Sequence, residues 1–313
     1  MAASALGATP STRHLQRPLD PGALARVQRR LQAANTPPWL HGEVARRMAE
    51  RLPIVKLQPA VVADWGAFLG ASQALLTQAY PQAQTLAVEA DPQRRAATAA
   101  MVAHPWWSPQ RWRGAAVRAL CADELQPGQA QLLWANMALH GVADPLALMR
   151  QWHRALAVDG FLMFSTLGPG TLTALQALYR DEGWPPPFAP FVDMHDLGDM
   201  LVEAGFADPV MDQETITLTW ATPAALLAEL RTLGGNVALQ RFAGLRTPRW
   251  QARLEAALAA AAGADGRLQL GFEVVYGHAF RPLPRARVAA HTELALDDLR
   301  TMARAGRKSP PQP

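Results

Sequence analysis

Residues 61–70 read VVADWGAFLG, and this stretch decides the fold class. Residues 61–64 form a short apolar run that ends in an acid and leads into a turn with two glycines. Residues 85–89 form a second apolar run that also ends in an acid, and apolar runs alternate with helical patterns as far as Ser165. This alternation is typical of parallel strands joined by right-handed helical crossovers. The sequence therefore predicts an α/β fold with a doubly wound, mostly parallel sheet.

Hydrophobic periodicity and breaker residues give the predicted element boundaries. We predict strands over residues 61–64, 85–89, 116–120, 131–135, 161–165, 215–220 and 272–280. We predict helices over residues 21–34, 39–52, 71–80, 92–103, 145–156, 171–180, 196–204, 224–233, 250–262 and 294–303. The last two strands lie late in the chain, where a long pair would close one edge of the sheet.

The composition excludes several classes of protein. Half of the 313 residues are hydrophobic and 18% are charged, which fits a globular protein with a sizeable core. No apolar run approaches the roughly 20 residues of a membrane span. The single cysteine, Cys121, excludes an intramolecular disulfide and a multi-cysteine zinc site, so we expect no metal and a reducing cytoplasm. The net charge is +4 with arginines spread along the chain, which makes a nucleic-acid-binding surface the less favoured interpretation.

The turn after the first strand has the pattern of a nucleotide-binding loop. Asp64, Gly66 and Gly70 have the spacing of a D-x-G-x-G-x-G loop, in which glycines let the backbone approach a ligand closely. Glu89 lies about 20 residues beyond, where an acid can accept hydrogen bonds from ribose hydroxyls. Phe68 replaces the middle glycine, and its ring is expected to obstruct the methionine part of S-adenosylmethionine (SAM). The same stretch also fits a dinucleotide-binding G-x-G-x-x-A pattern.

Two later stretches resemble a known family. Residues 132–139 read LLWANMAL and residues 160–172 read GFLMFSTLGPGTL. They are similar to the malonyl-acyl-carrier-protein O-methyltransferases of biotin synthesis, whose segments read like FSNLALQW and GVLVFSTLGPGTL. Further similar pieces follow in the same order: LVEAGF at 201–206, ITLTW at 216–220, LLAELRTLGGNV at 226–237 and FEVVYGHAF at 272–280. The similarity runs from about residue 39 to residue 280.

This resemblance implies a Rossmann-like class I SAM-dependent methyltransferase fold, with N-terminal helices, a helical insertion and one antiparallel strand. The implied activity is methyl transfer from SAM to the free carboxylate of a malonyl thioester on acyl carrier protein, or to a small carboxylate. Alignment and desolvation supply most of the catalysis in such a reaction, so no catalytic dyad is required. We expect three parts: a disordered N-terminus (1–20), a methyltransferase-like domain (21–280) and a basic, proline-containing tail (281–313). Within the domain, the SAM-binding part is expected at about 55–166. Residues 21–54 and 167–262 are expected to supply the substrate or cap elements.

The resemblance also assigns candidate site residues. Six residues are expected to bind SAM: Asp64, Gly66, Gly70, Glu89, Asp123 and Asn136. His140 stands where relatives usually have Gln, and it is a weak candidate for a catalytic residue facing the substrate. The alternative interpretation of His140 is an exposed loop histidine. Relatives often have a basic residue before the Phe that matches Phe191, where this chain has Pro190.

Three functions remain open at this point. The first is a SAM-dependent methyltransferase, and the second is an inactive paralogue that keeps the fold and acts as a binding or assembly protein. The third is a nucleic-acid-binding protein, which would use the basic tail and Trp106, Trp107 and Trp112. SAM binding would separate the first two functions, and salt-dependent oligonucleotide binding would indicate the third.

Overall fold

A seven-stranded sheet in the order β3-β2-β1-β4-β5-β7-β6 organises the computed structural model, which describes residues 17–102 and 117–284. Strands β1 to β5 pair in parallel, and β7 runs antiparallel to both β5 and β6. The predicted doubly wound sheet with one antiparallel strand is therefore confirmed. The strands are β1 (Val61–Trp65), β2 (Gln84–Glu89), β3 (Val117–Cys121), β4 (Ala130–Ala135), β5 (Leu156–Leu167), β6 (Ala207–Trp220) and β7 (Leu268–Phe280).

Helices pack against both faces of this sheet. They are α1 (Pro21–Gln32), α2 (Trp39–Ala49), α3 (Ala67–Gly70), α4 (Gln73–Ala79), α5 (Pro92–Val102), α6 (Pro145–Ala155), α7 (Thr173–Asp181), α8 (Met194–Glu203), α9 (Pro223–Thr232) and α10 (Pro248–Ala260). Side-chain caps start six of them, because each cap accepts a hydrogen bond from a free N–H group of the first turn. The capping residues are Asp20, Asp91, Asp144, Asp193, Thr222 and Thr247.

The hydrophobic core has two main parts, separated by the sheet. One part includes Leu40, Met48 and Trp134, which are fully buried beside α2 and the centre of the sheet. The other includes Trp152 of α6 and Phe164 of β5, which pack in one cluster with buried residues of α8. Burial of apolar surface stabilises the fold by about 25 cal/mol per Å², so these large side chains fix the helices on the sheet.

Several predicted boundaries were wrong. The helix predicted over 71–80 begins only at Gln73, and a one-turn helix, α3, occupies residues that the sequence assigned to the loop. Gly66 and Ala71 adopt left-handed backbone conformations, with φ of +69° and +53°; Gly66 precedes α3, and Ala71 separates α3 from α4. The helix predicted to reach residue 52 ends at Ala49.

The strand predicted over 215–220 begins much earlier, at Ala207. It is the edge strand of the sheet, so its first half is partly exposed on both faces and lacks the apolar alternation that predicts a buried strand. Pro209 lies within it, and proline is tolerated at a sheet edge because one side of the strand makes no ladder hydrogen bonds.

Three of the predictions concern residues outside the described part of the chain. They are the helix at 294–303, the two terminal segments apart from residues 17–20 and 281–284, and the role of Trp106, Trp107 and Trp112. The described chain as far as Pro282 belongs to one compact unit, and a second unit begins at Leu283. None of the helices in residues 17–102 and 117–284 combines the length and apolar character needed to cross a bilayer.

Candidate active site

The predicted site residues meet at the carboxyl ends of the parallel strands. Asp64 lies near the end of β1, and Glu89 ends the neighbouring β2. Asn136 directly follows β4, which pairs with β1 on its other side. Asp123 is exposed in the turn after β3, whose last residue is in register with Glu89. In open parallel sheets this edge is where ligands bind.

The turn after β1 leaves open space in front of its first glycine. The Gly66 N–H donates to the Val88 carbonyl at 2.8 Å, which fixes the turn against β2. A Cβ atom at Gly66 would meet no described atom within 4 Å, and the φ of +69° is a conformation that favours glycine. Gly70 is more enclosed, because a Cβ there would lie 3.1 Å from the Ser72 hydroxyl. Gly66 therefore faces room for a ligand, whereas Gly70 serves the packing of the turn.

Asp64 and Glu89 form a buried acidic pair. Both Asp64 oxygens and Oε2 of Glu89 are buried without a hydrogen-bond partner in the described residues. Burial raises the pKa of Asp64 to about 8, and the negative charge of Glu89 adds to this shift. Burial also raises the pKa of Glu89, while hydrogen bonds from the Thr98 hydroxyl and the Phe68 N–H act in the opposite direction. The pair thus has three oxygen atoms without a hydrogen-bond partner among the described residues.

Phe68 packs toward α5. Its ring is buried beneath the Arg94 guanidinium, with Cζ 3.7 Å from the ring centroid. The Phe68 N–H donates to Oε1 of Glu89 at 3.1 Å, so the backbone at this position supports the acid without needing a glycine. The ring does not come within 4 Å of the Cβ position at Gly66.

A buried hydrogen-bond network ties the turn to β4, β5 and α2. Nδ2 of Asn136 donates to the Gly70 and His41 carbonyls at 2.7 and 2.8 Å. Its Oδ1 accepts a 2.6 Å hydrogen bond from the Ser165 hydroxyl. Nδ1 of His41 contacts the Leu69 carbonyl at 2.8 Å, which leaves its buried Nε2 unpartnered among the described residues. Asn136 thus holds the turn in place, and its contact with SAM stays a prediction.

A cavity of about 790 Å³ lies beside this network. Residues of α1, α7, α9 and α10 and of the loops before α8 and after α9 supply most of its wall, which is largely apolar, and His140 and Arg17 are polar residues in it. The alternative of an exposed loop histidine is therefore wrong: His140 is half-buried, and its Nδ1 is buried. Burial lowers the pKa of His140 to about 3, with His41 and Arg17 as lesser causes, so the ring is neutral at pH 7.

Sequence reasoning missed His41, Ser165 and Arg17. His41 lies on the buried side of α2 together with Val44, Ala45 and Met48, and a polar residue among apolar neighbours was a usable signal. Ser165 lies within the GFLMFSTLGPGTL stretch, which was read only as a family feature. Arg17 gave no signal, because it lies in a segment with no periodic pattern.

No family model matches the chain. It is 39% identical to the malonyl-acyl-carrier-protein O-methyltransferase of Laribacter hongkongensis over 253 residues, covering 79% of this chain and 84% of that protein. It is 38% identical to the protein of the same name from Gallionella capsiferriformans, covering 79% and 85%. The chain belongs to the malonyl-acyl-carrier-protein O-methyltransferase family. The family resemblance predicted from the sequence is thereby confirmed.

Solved structures support the same fold for this family member. The YcgJ protein of Bacillus subtilis matches with a TM-score of 0.51 at 11% identity, covering 76% of this chain and 99% of that one. The BH2331 protein of Bacillus halodurans, a candidate methyltransferase, matches with a TM-score of 0.50 at 13% identity, covering 76% and 100%. At these identities both matches bear on the fold alone.

The residues at the carboxyl ends of the parallel strands fit SAM. SAM carries an ammonium group and ribose hydroxyls, which are hydrogen-bond donors, and the buried pair Asp64 and Glu89 has three acceptor oxygens without partners. Gly66 lies two residues after Asp64, and a Cβ there would meet no described atom within 4 Å. Without a ligand the carboxyl group of Asp64 is protonated at neutral pH because burial raises its pKa to about 8, and a cationic, donor-rich ligand would favour its ionised form.

Proposed function

We propose that the protein is a SAM-dependent methyltransferase that methylates the free carboxylate of a malonyl thioester carried by acyl carrier protein. Family membership at 39% identity makes this the first expectation. The observation that carries it is the unpartnered, buried pair Asp64 and Glu89 at the strand ends, because an inactive scaffold has no need of this costly arrangement.

In this proposal the cofactor lies at the carboxyl ends of the parallel strands, in the part of the chain from about residue 55 to residue 166. Glu89 accepts hydrogen bonds from the ribose hydroxyls, and Asp64 faces the ammonium group. Gly66 gives the backbone access to the ligand, and Asp123 lies near the adenine. When bound, SAM supplies a methyl carbon to a carboxylate oxygen, the carbon–sulfur electron pair stays on sulfur, and no proton moves.

The residues around the cavity have a positioning role in this proposal. A carboxylate is already a nucleophile, so the site needs orientation and exclusion of water rather than a general base. His140 is neutral because of its low pKa, and it is suited to a hydrogen bond and not to a charge pair. Leu24, Leu175 and Leu254 are among the apolar residues of the cavity wall, and they keep water from the reacting groups.

The carrier protein is proposed to dock at the arginine-rich outer face of α1. Arg26, Arg29 and Arg30 are exposed there, and α1 contains no acidic residue. Leu24 and Val27 of the same helix line the cavity, so this face adjoins the cavity entrance. A partner with an acidic surface would be attracted and oriented by these charges.

Calorimetry and a methyl-transfer assay test the proposal together. We expect SAM to bind and raise the melting temperature, because a ligand bound only by the folded state stabilises it. We expect methyl transfer to malonyl-acyl carrier protein and none to acetyl-acyl carrier protein, which lacks the free carboxylate. Absence of any thermal shift at millimolar SAM would overturn the proposal and leave a binding or assembly protein.

A further inference from the structure

Arg17 is a buried cation in the wall of the cavity. Its side chain is only 8% exposed, and its guanidinium lies 5.9 Å from the Phe191 ring centroid. Burial lowers the pKa of Arg17 to about 10, so the group still carries its charge at neutral pH. No acidic residue pairs with it in the part of the chain that the structure describes. A buried charge without a partner is costly unless something compensates it.

The hydrogen bonds of Arg17 leave part of its guanidinium free. Nη1 donates to the carbonyls of His140 and Val142, and Nη2 donates to the Pro190 carbonyl at 2.7 Å. A guanidinium has five N–H groups, so two remain after these three bonds. One is the Nε–H, which is buried and has no acceptor among the described residues, and the other belongs to Nη2. Nε and Nη2 share one edge, the arrangement that binds both oxygens of a carboxylate.

The surroundings of Arg17 favour an anionic ligand and offer little else to satisfy it. His140, the polar neighbour whose carbonyl it binds, is neutral because of its low pKa. Glu255 also lines the cavity, and one of its oxygens accepts a hydrogen bond from Gln251 at 2.9 Å. Most of the remaining wall is apolar, and Arg30, Arg231 and Arg246 also line it, so the cavity suits a ligand that combines an apolar or neutral body with negative charge.

We propose that Arg17 is the specificity-determining residue that binds the free carboxylate of the acyl substrate inside this cavity. The inference rests on the proposed function, since it assigns the carboxylate that is methylated. Three backbone hydrogen bonds hold the guanidinium in place, so its unpartnered Nε–H is preorganised for an acceptor on the ligand. Methylation converts the carboxylate to a neutral ester, which no longer pairs with Arg17, and this favours release of the product.

Two ligands of one carrier protein test this inference by binding alone. We would measure the Kd of the full-length chain, without SAM, for acyl carrier protein loaded with malonyl or with the malonyl methyl ester. Hydrogen bonds to charged groups contribute about 1.5–3 kcal/mol, so wild type is expected to prefer the free acid by about 10- to 100-fold. Arg17→Gln is expected to reduce this preference to about 2-fold or less, because it removes the charge pair.

Arg118→Gln is the matched control. Arg118 is an exposed arginine on β3 and is not among the residues that line the cavity. It is expected to leave the preference for the free acid unchanged. The ratio of two Kd values for one variant cancels any general loss of folded protein. Thus a merely structural role for Arg17 would not change it.

Arg17→Lys keeps the test decisive if Arg17→Gln does not fold. Lysine retains the charge but lacks the two-donor edge, so an intermediate ratio is expected. A ratio equal to that of wild type in either folded variant would overturn the inference. If wild type binds SAM and methylates the malonyl thioester but shows no preference for the free acid, only this inference fails. If wild type does not bind SAM, the proposed function fails first.

Discussion

At the scale of single residues, Asp64 makes the stability of the protein depend on pH. Burial and the charge of Glu89 raise its pKa from 3.8 to about 8 in the folded protein. Between these values the folded state holds a proton that the unfolded state has released, so stability falls as the pH rises toward 8. We expect Asp64→Asn to flatten this dependence and to melt at a higher temperature than wild type at pH 8.

Thermal melting of both proteins between pH 5 and pH 8, without SAM, measures this effect. Parallel curves of melting temperature against pH for Asp64→Asn and wild type would show that Asp64 does not cause this pH dependence. Glu89→Gln is an informative second variant, because burial raises the pKa of Glu89 in the same direction.

His140 is expected to tolerate replacement by an uncharged amide. Its ring is neutral above about pH 3, so it contributes hydrogen bonding and shape, but no charge and no proton transfer near neutral pH. We expect His140→Gln to keep kcat/KM within about 3-fold of wild type, since less than about 1 kcal/mol is at stake. A pH–rate profile that loses an inflection near pH 6 in His140→Gln would contradict this.

Phe68 is expected to affect stability more than cofactor affinity. Its ring packs under Arg94 and lies away from the open space at Gly66. Phe68→Gly removes a buried aromatic side chain from α3 and is expected to cost about 3–5 kcal/mol of stability. We expect the SAM Kd, measured by calorimetry on folded variant, to change by about 3-fold or less, roughly 0.7 kcal/mol. Binding at least ten times tighter in Phe68→Gly would show that the ring obstructs the cofactor.

At the scale of elements, close packing explains glycines that the sequence comparison identified only as part of the family's motifs. Gly168 and Gly170 of the GFLMFSTLGPGTL stretch lie against the Glu273 side chain, and a Cβ at either would collide with it. Gly277, in the FEVVYGHAF stretch, lies against Phe164 in the same way. Part of the family signature is thus explained by the close packing of β5 and the turn after it against β7.

Gly277→Ala is expected to destabilise the β5–β7 pair. The new methyl group would collide with the Phe164 ring and lie 2.9 Å from the Met211 sulfur. Overpacking of this kind costs about 1–3 kcal/mol, and chemical denaturation would measure it. Phe164→Leu in the same chain is expected to restore part of the loss. If Gly277→Ala is as stable as wild type, the packing described here is wrong.

The elements that sequence reasoning predicted well are the buried ones. Strands β1, β2 and β4 are continuous apolar runs bounded by turn residues, so their pattern predicts a strand directly. The first half of β6 is an exposed edge and lacks that pattern. Helix α3 was missed because left-handed conformations at Gly66 and Ala71 define it, and Ala71 has no sequence signal for one.

At the scale of the whole molecule, charge on α1 is expected to control association with the carrier protein. Reversal of two exposed arginines, Arg26→Glu with Arg29→Glu, is expected to raise KM for malonyl-acyl carrier protein about 10-fold at low salt, through loss of electrostatic steering. The difference from wild type should shrink as salt screens the charges. Steady-state kinetics at two ionic strengths would measure it, with SAM affinity unchanged.

Arg118→Glu is the control for this prediction. Arg118 is an exposed arginine on β3, at the opposite edge of the sheet from β6. An equal rise in KM for Arg118→Glu would indicate that net charge alone matters. An unchanged KM in the α1 double variant would place the docking surface elsewhere.

The candidate site was predictable only where it depends on the order of elements. The strand ends bring Asp64, Glu89 and Asn136 to one edge in any parallel sheet of this topology, so their proximity follows from the pattern. The cavity joins α1 to α7, α9 and α10, which are far apart in the chain. No local pattern shows that Arg17 lies in its wall, because tertiary packing alone places it there.

The acidic pair and the cavity wall are built from different elements of the chain, and this has a consequence for how such proteins diversify. The acids at the strand ends lie on β1 and β2, whereas the wall is built largely from α1 and from segments after β5. Substitutions in the wall can change the accepted acyl group while the sheet edge stays intact. Exchange of these segments between relatives, by natural drift or in a library of chimaeras, is therefore expected to alter acceptor choice with little cost to the fold.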